Sequence, residues 1–258
     1  MTSPANYAHV NGLNMYYELH GEGSPLVLLH GALSTIDVNF SKILPTLAQH
    51  HRIIAIEQQG HGHTADIDRP MSFAQMADDT AALLHLLGIE QADFFGYSLG
   101  GGIAVELAIH HPGLVRKFTF AGGTSFSTDG FYPEVMENIG ATSANSLDGT
   151  PFQAAYLKVA PHPENWAGLI EKVTDMDMRS RGWTPEQIRS IQAPSLLIIG
   201  DSDLVRPEHT TQMFRLLGGG DMTGTARSQL AVLPGTTHLS LVDRADWLVT
   251  MTEAFLAA

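Results

Sequence analysis

The chain has 258 residues, of which 44% are hydrophobic and 16% charged, enough for one sizeable core without a second domain. Its 14 Lys and Arg against 27 Asp and Glu give a formal charge of −13, which argues against nucleic acid or an anionic membrane surface as a partner and favours neutral substrates over highly anionic ones. The absence of cysteine excludes disulfides, thiolate metal sites and a cysteine nucleophile; with no leader pattern in residues 1–10 and no apolar run long enough to span a bilayer, a soluble, cytoplasmic protein is expected.

Asn11-Gly12 separates two extended stretches, 7–10 and 13–20, and predicts an opening antiparallel hairpin. Short apolar runs follow at 26–29, 53–56, 94–97, 118–121, 196–199 and 230–233. Continuous runs of this kind suit strands buried on both faces. Between them Phe73, Met76, Thr80, Leu83, Leu84 and Leu87 share one helical face. Ser72 with Gln75 predicts a capping box at the start of that helix, Met71 with Met76 a hydrophobic staple, and Gly88 its end. Further helices are predicted over 99–110, 207–217 and 244–256.

This alternation predicts an α/β fold, a mostly parallel sheet with helices on both faces and the hairpin at one edge. Ligands in such sheets lie beyond the carboxyl ends of the strands. Residues 124–191 break the pattern, with Pro133, Pro151, Pro161, Pro163 and Pro185 cutting short helical pieces rich in aromatic residues and methionine. They are read as a helical lid inserted into a core domain of residues 1–123 and 192–258, most of the aromatics forming the lid's own small core.

Gly96-Tyr97-Ser98-Leu99-Gly100 fits G-x-S-x-G between an apolar run and a small-residue helix, which makes Ser98 a candidate nucleophile. Glycines on either side leave room where the chain doubles back. The helix that begins after Ser98 turns unpaired N–H groups toward the hydroxyl, favouring negative charge there. A neutral serine needs a base, and the base needs an acceptor to fix its tautomer. His238 follows the last predicted strand, while Asp201 and Asp203 follow the one before it, so all would emerge at the same sheet edge as Ser98. His61 and His63 have no third ligand at metal spacing on their loop, and turn-stabilising hydrogen bonds are expected of them instead. No metal and no cofactor are expected.

The order Ser, Asp, His resembles the α/β-hydrolase family, and the resemblance covers nearly the whole chain. The elbow at 96–101, Gly200-Asp201-Ser202-Asp203 and Pro234-Gly235-Thr236-Thr237-His238 are similar to its three motifs. Leu29-His30-Gly31-Ala32 is similar to its oxyanion loop, and Gly60-His61-Gly62-His63-Thr64 to its G-H-G-x-S/T turn. The resemblance implies Ser98 as nucleophile, His238 as base and Asp203, at the family's distance from Gly200, as the orienting acid; Asp201 is left a turn or cap role. It further implies an oxyanion hole made by the backbone N–H groups of Ala32 and Leu99, with His30 orienting the loop. Glu57-Gln58-Gln59 departs from the aspartate and arginine that many relatives carry before G-x-G, so local hydrogen bonding there is expected to differ.

The expected partner is a small-molecule ester or lactone. Cleavage of a neutral, fairly apolar carboxylic ester is the leading expectation, over a pocket to which Tyr97, Phe131, Trp166 and Met176 contribute. Lactone opening and the carbon-carbon bond hydrolysis of aromatic breakdown use the same three groups. A small-molecule receptor with incidental hydrolysis is the alternative from another class. The aspartate-nucleophile relatives, haloalkane dehalogenases and epoxide hydrolases, are excluded by the serine at 98.

Overall fold

The computed structural model describes residues 6–222 and 226–258; residues 1–5, part of the stretch read for a leader, lie outside them. Asn11 and Gly12, at φ of 48° and 86°, turn β1 (Asn6–Val10) back onto β2 (Leu13–His20) as an antiparallel hairpin. β3 (Ser24–Leu29) leads through α1 (Ile36–Phe40) and α2 (Leu44–Leu47) to β4 (His51–Ile56). α3 (Phe73–Leu86), β5 (Ala92–Tyr97), α4 (Leu99–His110) and β6 (Val115–Ala121) continue the alternation. A helical segment then intervenes, comprising α5 (Pro133–Ala141), α6 (Pro151–Val159), α7 (Trp166–Arg179) and α8 (Pro185–Ser190). β7 (Ser195–Ser202), α9 (Pro207–Leu216), β8 (Ser228–Thr237) and α10 (Ala245–Ala257) complete the fold.

The sheet has eight strands in the order β1-β2-β4-β3-β5-β6-β7-β8, and β3 to β8 run parallel while β1 and β2 run antiparallel at one edge. Its central strands are buried on both faces. Val27, Leu29, Ile54 and Ile56 pack with α3 and α4, whereas Leu26, Leu28, Ile53 and Ala55 pack with residues of α1, α2 and α10. This is why those runs show no polar alternation.

β8 departs from that expectation. It forms the opposite edge, Val232 is 47% exposed, and Leu233 alone of its apolar run is buried. With a neighbour on one side only, the strand is less fully covered than its inner neighbours. The capping box also forms by half: Ser72 accepts from the Gln75 N–H, but the Gln75 amide reaches Asp79 rather than back to Ser72. Asp79 is a buried carboxylate that also draws in Arg69 and Asn11, and so competes for the amide. Met71 and Met76 are both buried at the staple positions.

Prolines start helices in the inserted segment instead of breaking them. Pro133, Pro151 and Pro185 each take the first helical position, where the missing N–H has no intrahelical partner to lose. Tyr156 and Trp166 bury their rings against each other at 5.2 Å, beside Leu169, Ile170, Val173 and Met176 of α7.

Candidate active site

Ser98 follows the last residue of β5, Asp203 the last of β7 and His238 the last of β8, so three parallel strands deliver the three side chains to one rim of the sheet. Ser98 turns the chain into α4 at φ 53° and ψ −116°, a conformation that costs a side-chain-bearing residue of order 1–3 kcal/mol. The surroundings hold it there. A Cβ on Gly96 would strike the Gly100 backbone, and one on Gly100 would strike the Leu29 carbonyl. The Ser98 N–H donates to the Ala121 carbonyl of β6 at 2.8 Å.

Ser98 Oγ lies 3.0 Å from His238 Nε2, and His238 Nδ1 lies 2.9 Å from Asp203 Oδ1. That same oxygen accepts from the N–H groups of Gly123 at 3.1 Å and Leu204 at 2.7 Å. With Asp203 Oδ1 held as an acceptor, the proton of a neutral His238 belongs on Nδ1, which leaves Nε2 to accept from the serine hydroxyl. Asp201 is engaged elsewhere: its carboxylate accepts from the N–H groups of Gly235 and Thr236, which hold its pKa below the usual carboxylate value. It ties the ends of β7 and β8 together.

Two supports of His238 escaped the reading of the sequence. The Tyr97 hydroxyl donates to the His238 carbonyl at 2.9 Å, and its ring stacks on the imidazole at 5.3 Å. Gly122 and Gly123, at φ of 74° and 64°, pass so close that an added Cβ would lie 3.3 Å and 3.2 Å from His238 Cε1. The signal available was a pair of glycines directly after β6.

Ala32 and Leu99 both border the space above Ser98. The Leu99 N–H belongs to the first turn of α4, where no intrahelical acceptor exists. The loop carrying Ala32 is fixed by the Gly31 N–H donating to Asn39 Oδ1 at 2.8 Å. His30 secures it further. Its Nε2 accepts from the Gln58 N–H at 3.1 Å, so Nδ1 carries the proton and donates to the Gly31 carbonyl at 2.7 Å. Burial lowers the His30 pKa to about 4 and keeps the ring neutral.

Glu57, at the point of departure from the family pattern, joins two loops: it accepts from the Ile36 N–H at the start of α1 and from the His63 N–H at 2.6 Å. His63 Nδ1 also reaches it at 2.8 Å, and that bond raises the His63 pKa. His61 Nδ1 bonds the Gln59 carbonyl at 2.9 Å. Among the described residues no group of three or more His, Asp or Glu could hold a metal ion.

A cavity of about 610 Å³ opens over Ser98, walled mainly by Phe73, Phe120, Phe126, Phe131, Phe152, Trp183, Met136 and Ile139. Tyr97 and Phe131 border it. Trp166 and Met176 do not. Trp166 is buried against Tyr156, and Met176 faces the interior of the helical segment. One residue further along α7, about 100° around the helix, Asp177 faces the cavity instead. The described lining contains no Lys or Arg, and its acids are Asp177 and Asp243, the latter paired with Lys42 at 2.6 Å.

A parallel sheet that brings a serine, a histidine and an aspartate into hydrogen-bonded contact beside such a cavity defines the class of α/β hydrolases. The sequence model for the alpha/beta hydrolase fold matches residues 24–186, and the chain belongs to that family. It is 34% identical over 229 residues to RutD of Azorhizobium caulinodans, a protein named for carbamate hydrolysis, covering 80% of this chain and 84% of that one. It is 27% identical to the 2-hydroxymuconate semialdehyde hydrolase of Pseudomonas sp. strain CF600, covering 92% and 88% of the two chains. The crystal structure of CarC, a serine hydrolase involved in carbazole degradation, superposes with a TM-score of 0.79 at 20% identity, covering 99% of each chain. The chain is a hydrolase of this fold. No described helix is long and apolar enough to cross a membrane.

Proposed function

We propose that the protein is a serine hydrolase that cleaves a carboxylic ester of a small, largely apolar substrate through an acyl-enzyme. The carrying observation is the 3.0 Å contact of Ser98 Oγ with His238 Nε2 at the floor of an apolar cavity. In this reading Ser98 Oγ bonds to the acyl carbon while His238 Nε2 takes the hydroxyl proton, and Asp203 stabilises the imidazolium at Nδ1. The carbonyl oxygen, now negative, sits against the N–H groups of Ala32 and Leu99, each donor contributing about 3–4 kcal/mol to such an intermediate. Collapse expels the alcohol, which receives the proton from Nε2. Water then repeats the sequence in reverse on the acyl-enzyme. The helical segment 124–191 serves as the lid over the acyl or alcohol group, and no cofactor enters any step.

The lining supports an ester over the carbon-carbon substrates of related chains. A muconate is a carboxylate, and no described lysine or arginine lines this cavity to neutralise one. Lactone opening uses the same atoms and is the second reading.

Hydrolysis of aryl esters of graded acyl length, and of simple lactones, tests the proposal on wild type and Ser98→Ala. Wild type is expected to turn over steadily, and the alanine variant to lose about four orders of magnitude or more in kcat. An alanine variant with undiminished rate refutes the mechanism. One bound equivalent without turnover in wild type would instead mark a receptor.

A further inference from the structure

α7 buries the stripe Trp166, Leu169, Ile170, Val173 and Met176, and Asp177 stands beside its end, at the cavity wall. A carboxylate therefore stands at the margin of the helix's apolar face, half-buried. It borders the cavity over Ser98 and is enclosed enough that burial raises its pKa from the usual carboxylate value to about 7. No hydrogen bond or ion pair from the described residues offsets that burial. The nearby basic group of its own helix, Arg179, is engaged by Asp175, and Lys172 by Asp66. Half-buried at the cavity wall and without a partner among the described residues, the carboxylate is left for the occupant of the cavity to pair.

We infer that the missing partner is the substrate, and that Asp177 selects substrates whose end remote from the scissile carbonyl carries a basic amine. The rest of the wall suits an organic cation. Phe131, Phe152 and Trp183 contribute aromatic rings, a class of side chain that attracts cations, and no described Lys or Arg borders the space to repel one. The net charge of −13 favours cations over anions in the approach to the mouth. This inference rests on the reading of the cavity as the substrate site. It adds the chemical class of one end of the molecule.

The test separates the two readings by measuring binding without turnover. Hexylamine, hexan-1-ol and hexanoate are titrated calorimetrically into wild type, Asp177→Asn and Asp177→Leu at mildly alkaline pH, where the amine is protonated and the acid ionised. Hexylamine is expected to bind about tenfold more tightly than hexanol to wild type, with hexanoate weakest. Both variants are expected to lose that preference, and the leucine variant to favour the alcohol. In parallel, the ratio of kcat/KM for aryl 6-aminohexanoate to that for aryl hexanoate is expected to fall about tenfold in Asp177→Asn. A folding defect lowers both rates together and leaves the ratio untouched. Ester cleavage with no amine preference, or a preference that survives Asp177→Asn, overturns this inference alone. An amine preference lost in the variants, with no ester cleaved by wild type, overturns the esterase reading and leaves this one standing.

Discussion

Gly123 meets three demands at one backbone position. Its φ of 64° suits glycine, its N–H donates to Asp203 Oδ1 at 3.1 Å, and an added Cβ would lie 3.2 Å from His238 Cε1. Gly123→Ala is therefore expected to lower kcat by about ten- to a hundredfold with KM little changed, because the methyl group displaces the imidazole while the cavity keeps its shape. Ester kinetics beside a thermal melt check this, and an alanine variant with wild-type kcat contradicts it. Ser98 and His238 were legible because each follows an apolar run at a recognisable spacing, whereas Asp203 was separated from Asp201 only by the resemblance to the family. Gly123 was not legible, since its role depends on a partner 115 residues away at His238. Met176 is expected at the pocket from the sequence, yet Asp177 borders the cavity, and only the rotation of α7 decides which of the two faces it.

At the level of elements, α4 lies flush on the sheet because Gly100 brings its backbone against the Leu29 carbonyl of β3 and Gly101 seats the Phe120 ring of β6. Gly100→Ala forces the helix away from backbone that has no freedom to yield, and is expected to cost about 3 kcal/mol or more. Gly113 offers the control. Nothing lies within 4 Å of a Cβ there and its φ is ordinary, so Gly113→Ala is expected to be neutral or slightly stabilising. Urea denaturation of the two variants measures the contrast, and equal midpoints would show that α4 tolerates the extra carbon. The strands were readable since burial on both faces leaves an unbroken apolar signature. β8 gave the same signature over a short run while lying at an edge, because strand order is decided by which strands pair and not by any one strand's residues.

Across the whole molecule, two buried neutral histidines contribute to the response to acid. Burial lowers the pKa of His30 and of His61 to about 4. The unfolded chain takes up a proton at each as pH falls below roughly 6.5, whereas the folded chain does not until about 4, so stability is lost across that window. The loss is on the order of 3 kcal/mol for each ring. Asp177 acts in the opposite sense: its raised folded pKa means that its destabilising ionisation is relieved as pH falls through about 7. Asp177→Asn is thus expected to steepen the decline in stability between about pH 7.5 and 5.5 and to gain most over wild type at the upper end. Urea midpoints at the two pH values measure it, and a variant that parallels wild type would show that the carboxyl is not held as described. None of this was visible in composition, since a count of 13 histidines does not say which are enclosed. The cavity was equally hidden, being built from side chains that residues 124–191 and the sheet rim bring together only on folding.

His238 rides on β8, which among the described residues has β7 alone for a neighbour in the sheet, whereas Ser98 stands on β5 with a strand at either hand. Agitation that peels away the outermost ribbon carries off the imidazole and leaves the hydroxyl seated. On the proposed mechanism such a chain would fall silent before it lost its shape.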